Sequence, residues 1–173
     1  MATKKIKYFS AVTFKNYMKS LGYVSYDWNR RIPYNDIPRQ DFAVISIGNP
    51  EWLEDVDNNT DLWANGINNH WLPGCFENVL NIEFGDCGEG EFDSMGETQA
   101  YDIVKFIMKN QHKNNFYIHC GAGISRSGAV ATFIYDFFKE KSVEVEILPH
   151  LPRTPNQYVR KMLWDMYEQN LEC

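Results

Sequence analysis

Phe116-Tyr117-Ile118-His119-Cys120-Gly121-Ala122-Gly123-Ile124-Ser125-Arg126-Ser127-Gly128 is the stretch on which the reading of this chain turns. It opens as a short apolar strand, 116–118, passes through a glycine-rich loop, and enters a strongly apolar segment, 127–139, that reads as a buried helix. The same alternation repeats on both sides of it. Residues 42–47 (FAVISI) form a compact apolar run of the kind that fills a buried strand, and Asn49-Pro50 breaks it. Residues 79–84 (VLNIEF) and 6–12 read as further strands. Thr13 is placed to cap a helix through Leu21, with Gly22 as its stop. Ser94-Met95-Gly96-Glu97 has the capping-box pattern, and Ala100, Ile103, Val104, Ile107 and Met108 follow at helical spacing. Thr154-Pro155-Asn156-Gln157 repeats that pattern with proline at the first helical position, before a last helix to about Tyr167. Strands alternating with helices predict an α/β fold: a central, mostly parallel sheet flanked by helices.

Composition bounds the function. At 173 residues the chain is sized for one domain, 1–173. Its 44% hydrophobic and 15% aromatic content opposes disorder. A net charge of −6 with no basic tract disfavours nucleic acid or an anionic membrane as partner. Cys75, Cys87, Cys120 and Cys173 include no CxxC pair and no zinc spacing, so no metal site is expected. Sparse free thiols suit a reducing, cytoplasmic location. Lys4, Lys5 and Lys7 precede an apolar stretch that carries Ser10 and Thr13 and lacks a cleavage site, so it does not read as a signal peptide. No run approaches the ~18 apolar residues that would span a bilayer.

The segment 48–78 differs from the rest, with Trp52, Trp63 and Trp71, many asparagines and an acidic run. Asp55, Asp57, Asn59 and Asp61 superficially resemble a calcium loop. Thr60 occupies the place of the needed glycine and Gly66 that of the bidentate glutamate, so a solvated loop is the better reading.

The chemistry concentrates between strand and helix. Gly121, Ala122, Gly123, Ile124 and Ser125 are enough chain to curl into a ring of backbone N–H groups, and the two glycines permit close approach of a ligand. The ring opens onto a helix N-terminus, whose dipole favours anions. The result is a nest for a phosphate-like oxyanion. Arg126 can add two parallel hydrogen bonds to it. Cys120 begins the loop, where the same positive field favours the thiolate, a nucleophile aimed at a bound phosphate ester. A chance glycine-rich turn with a structural cysteine is the bland alternative.

These residues resemble the signature of the cysteine-dependent protein tyrosine phosphatase superfamily: histidine, cysteine, five residues, arginine, then serine or threonine. His119, Cys120, Arg126 and Ser127 fill it, with Gly123 in its expected place. Pro155-Asn156, followed by Val159, Met162 and Leu163, is similar to the helix start that follows the loop in compact dual-specificity phosphatases, and implies that Asn156 helps to hold the loop. The resemblance covers about 79–168. The large tyrosine phosphatases fit less well, because the chain is short and Trp71-Leu72-Pro73 is followed by glycine instead of aspartate.

The resemblance implies a phosphocysteine mechanism without cofactor or metal. A general acid should lie upstream of the cysteine, on a loop after a strand. Asp86 directly follows the strand 79–84 and is the first choice; Asp93 is the alternative, though helix-cap electrostatics also explains it. Glu89 and Glu91 are weaker options, and Gly85, Gly88 and Gly90 suit a loop that closes. His119 is expected to hydrogen-bond the loop backbone and tune Cys120, or else to be a satisfied core histidine. Ser127 would donate to the departing sulfur or cap the helix, and Gly128 would allow tight packing. Among relatives, a second cysteine can protect the nucleophile, which here would be Cys75 or Cys87; a plain buried thiol is the other reading.

No charged residue stands between Cys120 and Arg126. That favours a phosphorylated protein or peptide as substrate, phosphotyrosine first and phosphoserine or phosphothreonine second, for a monomeric enzyme. Substrate choice would fall to the pocket-rim loop 48–78, where a tryptophan could grip an aromatic ring. A phosphatase for phosphoinositides, nucleotides or RNA 5′ ends, and a module that only binds phosphoproteins, are the alternatives.

Overall fold

The computed structural model describes residues 3–23, 36–50, 70–74 and 76–171. Among these, five strands form one sheet: β1 (Lys4–Ser10), β2 (Phe42–Gly48), β3 (Val79–Glu83), β4 (Asn115–Cys120) and β5 (Val145–Leu148). The helices are α1 (Ala11–Ser20), α2 (Glu97–Lys109), α3 (Arg126–Glu140) and α4 (Gln157–Leu171), with a short 3-10 turn over Ile37–Arg39. The spatial order is β3-β2-β4-β1-β5, and every pairing is parallel. The α/β class is therefore as expected, with no antiparallel strand among the described residues.

Strand alternation divides the core into two layers. Ile6, Tyr8, Ala43, Ile45, Ile47, Phe116 and Ile118 point to one face, where α2, α3 and α4 pack. Phe42, Val44 and Tyr117 point to the other, against Phe14 and Met18 of α1 and against Ile37. All seven residues of β2 are buried, as befits a strand covered on both faces. Because the strands run parallel, β1, β2, β3 and β4 end along the same edge, the usual place for a site in an open α/β sheet. No helix among the described residues is long and apolar enough to cross a membrane.

Local readings are corrected at the element ends. β1 stops at Ser10, not at residue 12, and Ser10 instead of Thr13 caps α1, its Oγ accepting from the Thr13 amide at 3.2 Å. α2 is entered from Gly96 instead of Ser94: the Gln99 side chain accepts from the Gly96 amide at 2.6 Å. α4 begins after Asn156, whose Oδ1 accepts from the Val159 amide at 3.1 Å, so Asn156 and not Thr154 is the cap. β5 was not anticipated, although Val143-Glu144-Val145-Glu146-Ile147 alternates as a half-buried strand should.

Candidate functional site

β4 carries Cys120 to the carboxyl edge of the sheet, and the chain then turns through 121–125 into the first turn of α3. Two carbonyls of this loop are engaged from outside. Gly121 O accepts from the Ala11 amide at 3.1 Å, and Ser125 O accepts from the amides of Asn156 and Ala129, each at 3.0 Å. The amides of Ala122, Ile124 and Ser125 are left without a protein acceptor among the described residues. Gly123 lies at φ +74°, and a Cβ there would strike the backbone of Phe9 and Ser10 at the end of β1. Glycine is thus required at this position both for its dihedral and for its closeness to β1.

The Cys120 thiol is buried at the floor of the loop. Its Sγ stands 3.3 Å from the Gly123 amide, which donates to it, and 3.2 Å from Ser127 Oγ. Ser127 lies inside the first turn of α3, where its Oγ accepts from the Cys120 thiol, and the cap position belongs to Ser125. A Cβ on Gly128 would come within 3.1 Å of Pro152 Cβ, consistent with the expected tight packing.

Arg126 is buried and held by one side of its guanidinium. Nη1 donates to Phe84 O at 2.8 Å, to Asn49 Oδ1 at 3.0 Å and to Gly48 O at 3.4 Å. Those acceptors come from the ends of β2 and β3. Nε is fully buried and has no partner among the described residues, and Nη2 lies 3.5 Å from where a Cβ on Gly121 would be. Fixed along one side, Arg126 keeps a buried, unanswered N–H on the other, and an unmet buried donor costs about 1–3 kcal/mol.

Asp86 is brought to the loop. Its Oδ1 accepts from Ser125 Oγ and from Asn156 Nδ2, both at 2.8 Å, and Asn156 also donates to Cys87 O at 3.2 Å. Oδ2 makes no hydrogen bond among the described residues. Asn156 thus joins three pieces: the acidic loop, the Ser125 carbonyl and the start of α4. Asp93 has a different place. It sits at φ 76°, a conformation aspartate tolerates, and its carbonyl closes the 85–93 turn by accepting from the Gly85 amide at 2.8 Å. Its carboxylate makes no hydrogen bond to the loop or to Arg126.

His119 is fully buried, stacked on Phe14 with ring centroids 4.4 Å apart. Burial, then the neighbouring His70 and Arg126 charges, push its pKa down to about 3, against a hydrogen bond to the Cys120 backbone. It is therefore a neutral ring at ordinary pH. Its Nε2 meets Ser46 Oγ at 2.5 Å, and Ser46 Oγ meets His70 Nδ1 at 2.7 Å. His70 Nε2 pairs with Glu83 Oε1. Sequence reasoning missed Ser46, His70, Glu83 and Asn49. One signal was present: Ser46 is the single hydroxyl in an otherwise apolar strand, and a buried polar group implies partners.

The other cysteines divide. Cys75 and Cys173 lie outside the described residues, as do Trp52, Trp63 and the calcium-like run. Cys87 is free and half-buried, its thiol donating to Phe92 O at 3.4 Å. Burial and then the carboxylates of Glu91, Asp93 and Asp86 push the Cys87 thiol up, which disfavours its thiolate. Trp71 packs with the α1 cluster and donates from Nε1 to Tyr23 O at 2.8 Å, a structural role. Among the described residues no cluster of His, Cys, Asp or Glu could hold a metal ion. No model of a known protein family matches the chain, and no curated protein matches it.

Proposed function

We propose that the chain is a cysteine-dependent phosphatase of the dual-specificity kind, hydrolysing phosphotyrosine in proteins or peptides, with phosphoserine and phosphothreonine as further substrates. The observation that carries the reading is the pairing of Cys120 with the unanswered edge of Arg126. A buried thiol, a buried guanidinium N–H without a partner and a run of unpaired amides meet in one loop. A tetrahedral phosphoryl group would satisfy all of them together.

The steps follow from the same groups. The Cys120 thiolate attacks phosphorus; the S–P bond forms as the ester P–O bond breaks, and Asp86 gives its proton to the departing oxygen. Ser125 and Asn156 occupy Oδ1, which leaves Oδ2 to carry that proton. Asp86, now a carboxylate, takes a proton from water, which attacks phosphorus; the S–P bond breaks and inorganic phosphate is released. The leaving thiolate is met by the Gly123 amide and the Ser127 hydroxyl. Arg126 and the loop amides stabilise the equatorial oxygens throughout.

The test is turnover of an aryl phosphate and of a phosphotyrosine peptide. Activity in the wild type that Cys120→Ser abolishes, and that chelators leave intact, supports the proposal. An inactive wild type that still binds phosphopeptide would replace it with a binding module. A panel including phosphoinositides and triphosphorylated RNA would expose a non-protein substrate.

A further inference from the structure

A guanidinium carries donors on each of its nitrogens, and the fold engages only one nitrogen of Arg126. Nη1 donates to Phe84 O at 2.8 Å and to Asn49 Oδ1 at 3.0 Å, with Gly48 O at 3.4 Å sharing its hydrogens. Nε and Nη2 donate to nothing among the described residues, so the edge that suits a bidentate oxyanion stays open. Every acceptor on Nη1 is neutral: backbone carbonyls and one side-chain amide. No carboxylate pairs with Arg126 among the described residues. Arg160 is the contrast within the same chain, its Nη2 meeting Asp136 Oδ2 at 2.8 Å. A cation as buried as Arg126 is ordinarily paired. We propose that Asn49 is a positioning residue that pins the Arg126 guanidinium without cancelling its charge, so that the loop selects a doubly charged tetrahedral oxyanion over a singly charged one. The inference rests on Cys120 and Arg126 forming the phosphate site of the proposed hydrolysis.

Asn49 is the acceptor whose charge a side chain decides. Phe84 O and Gly48 O are backbone, and the Phe84 amide ties the two strand ends together by donating to Gly48 O at 3.3 Å. They would stand there whatever their side chains were. Asn49, half-buried just beyond β2, offers its oxygen alone, since its Nδ2 donates to nothing among the described residues. An aspartate has the same shape and would place a carboxylate oxygen on Nη1. That bond would be charge-assisted and would hold Arg126 more firmly. It would also set a negative charge behind the guanidinium, opposing any anion in front of it. The amide supplies the orientation without the opposing charge. Coulomb energy scales with the product of the charges, so an uncancelled guanidinium acts twice as strongly on a dianion as on a monoanion of equal shape. A phosphate monoester is close to doubly charged at neutral pH, whereas a phosphodiester or a sulfate ester carries one charge. The neutral clamp therefore favours monoesters. Asp86, the carboxylate brought to the loop, bonds Ser125 and Asn156 and makes no hydrogen bond to Arg126.

The experiment uses the full chain and two tetrahedral probes, tungstate with two charges and perrhenate with one. Their affinities are read at neutral pH from the protection of Cys120 against iodoacetamide, resolved by peptide mass. Wild type, Asn49→Asp and Asn49→Ala are compared, and the Tm of each empty protein is recorded. Asn49→Asp should weaken tungstate by roughly tenfold or more, and perrhenate only by about the square root of that factor, roughly threefold. Its Tm should equal or exceed that of the wild type, because the new carboxylate pairs with Arg126. Asn49→Ala loses the pin and adds no charge, so it should weaken both probes alike, by roughly two- to tenfold. A residue that only holds Arg126 in place predicts the reverse for aspartate, namely binding as tight as the wild type or tighter. That result would overturn the inference. So would equal losses of both probes in Asn49→Asp, a lowered Tm or failure to fold in that variant, or a wild type that binds neither probe. Turnover of an aryl phosphate by the wild type is measured separately. The expected probe pattern without turnover would sink the phosphatase reading alone, and turnover with tungstate binding undiminished in Asn49→Asp would sink this inference alone.

Discussion

Replacing Ser125 by alanine tests the placement of Asp86 as the proposed acid without touching Cys120 or Arg126. Asp86 Oδ1 is held by two donors at 2.8 Å, Ser125 Oγ and Asn156 Nδ2. A hydrogen bond to a charged group contributes about 1.5–3 kcal/mol. Asp86 is exposed and Asn156 remains, so the expected loss lies around and somewhat below the lower end of that range, about 1–2 kcal/mol. At 1.36 kcal/mol per decade this is roughly a five- to thirtyfold fall in kcat/KM. The fall should depend on the leaving group. A phosphotyrosine peptide needs its phenolate oxygen protonated and should show the full effect. An aryl phosphate with an acidic phenol needs little help and should lose less than about twofold. The two substrates are compared at a pH where wild-type kcat/KM is maximal, with Asp86→Asn and the double variant alongside. Adding Ser125→Ala to Asp86→Asn should change nothing further, because the group being positioned is already gone. Equal losses on both esters, or a further loss in the double variant, would refute this account and place Ser125 in phosphate binding instead.

Two other outcomes follow from the same geometry. Gly123→Ala combines a positive φ with a Cβ driven into the backbone of β1, which cannot step aside. A cost of roughly 2–4 kcal/mol is expected, seen as a Tm lower by about 5–15 °C; an unchanged Tm would mean that the loop does not pack on β1 as described. Acid stability should report on His119. Its pKa is about 3 in the fold, below the ~6.5 of an unfolded chain. The unfolded state therefore binds the extra proton first. Stability should be complete above pH ~6.5 and decline from there towards pH 3, by up to about 1.4 kcal/mol per pH unit. Urea midpoints measured at several pH values should show this slope, and His119→Gln should flatten it; a wild-type midpoint that holds from pH 7 to 4 would count against a neutral, buried His119.

The legible features were those that a local pattern can encode. The apolar run of β2 announced a doubly covered strand, and glycine spacing with Cys120 and Arg126 announced the loop. Helix starts were misplaced by two or three residues because several nearby residues can take the cap, glycine included, and neighbours in space choose among them. Asn156 is the cap of α4 because its amide is tied to Ser125 O and its side chain to Asp86. Asp86 and Asp93 could be ranked by their distance from a strand end, but only the folded chain brought Ser125 and Asn156 to one of them.

The sequence by itself determined the alternation of strands and helices, and the residues that could make a nucleophile in an anion-attracting loop. Both are properties of short windows: burial periodicity and the backbone freedom of glycine. The tertiary structure decided what those residues face. Parallel pairing in the order β3-β2-β4-β1-β5 collects the ends of four strands at one edge. There Phe84 O, Gly48 O and Asn49 pin Arg126 along one side, Ser46 reaches His119 across 73 positions of chain, and His70 reaches Ser46 across 24. Such contacts depend on register between distant segments, which no local pattern of residues records.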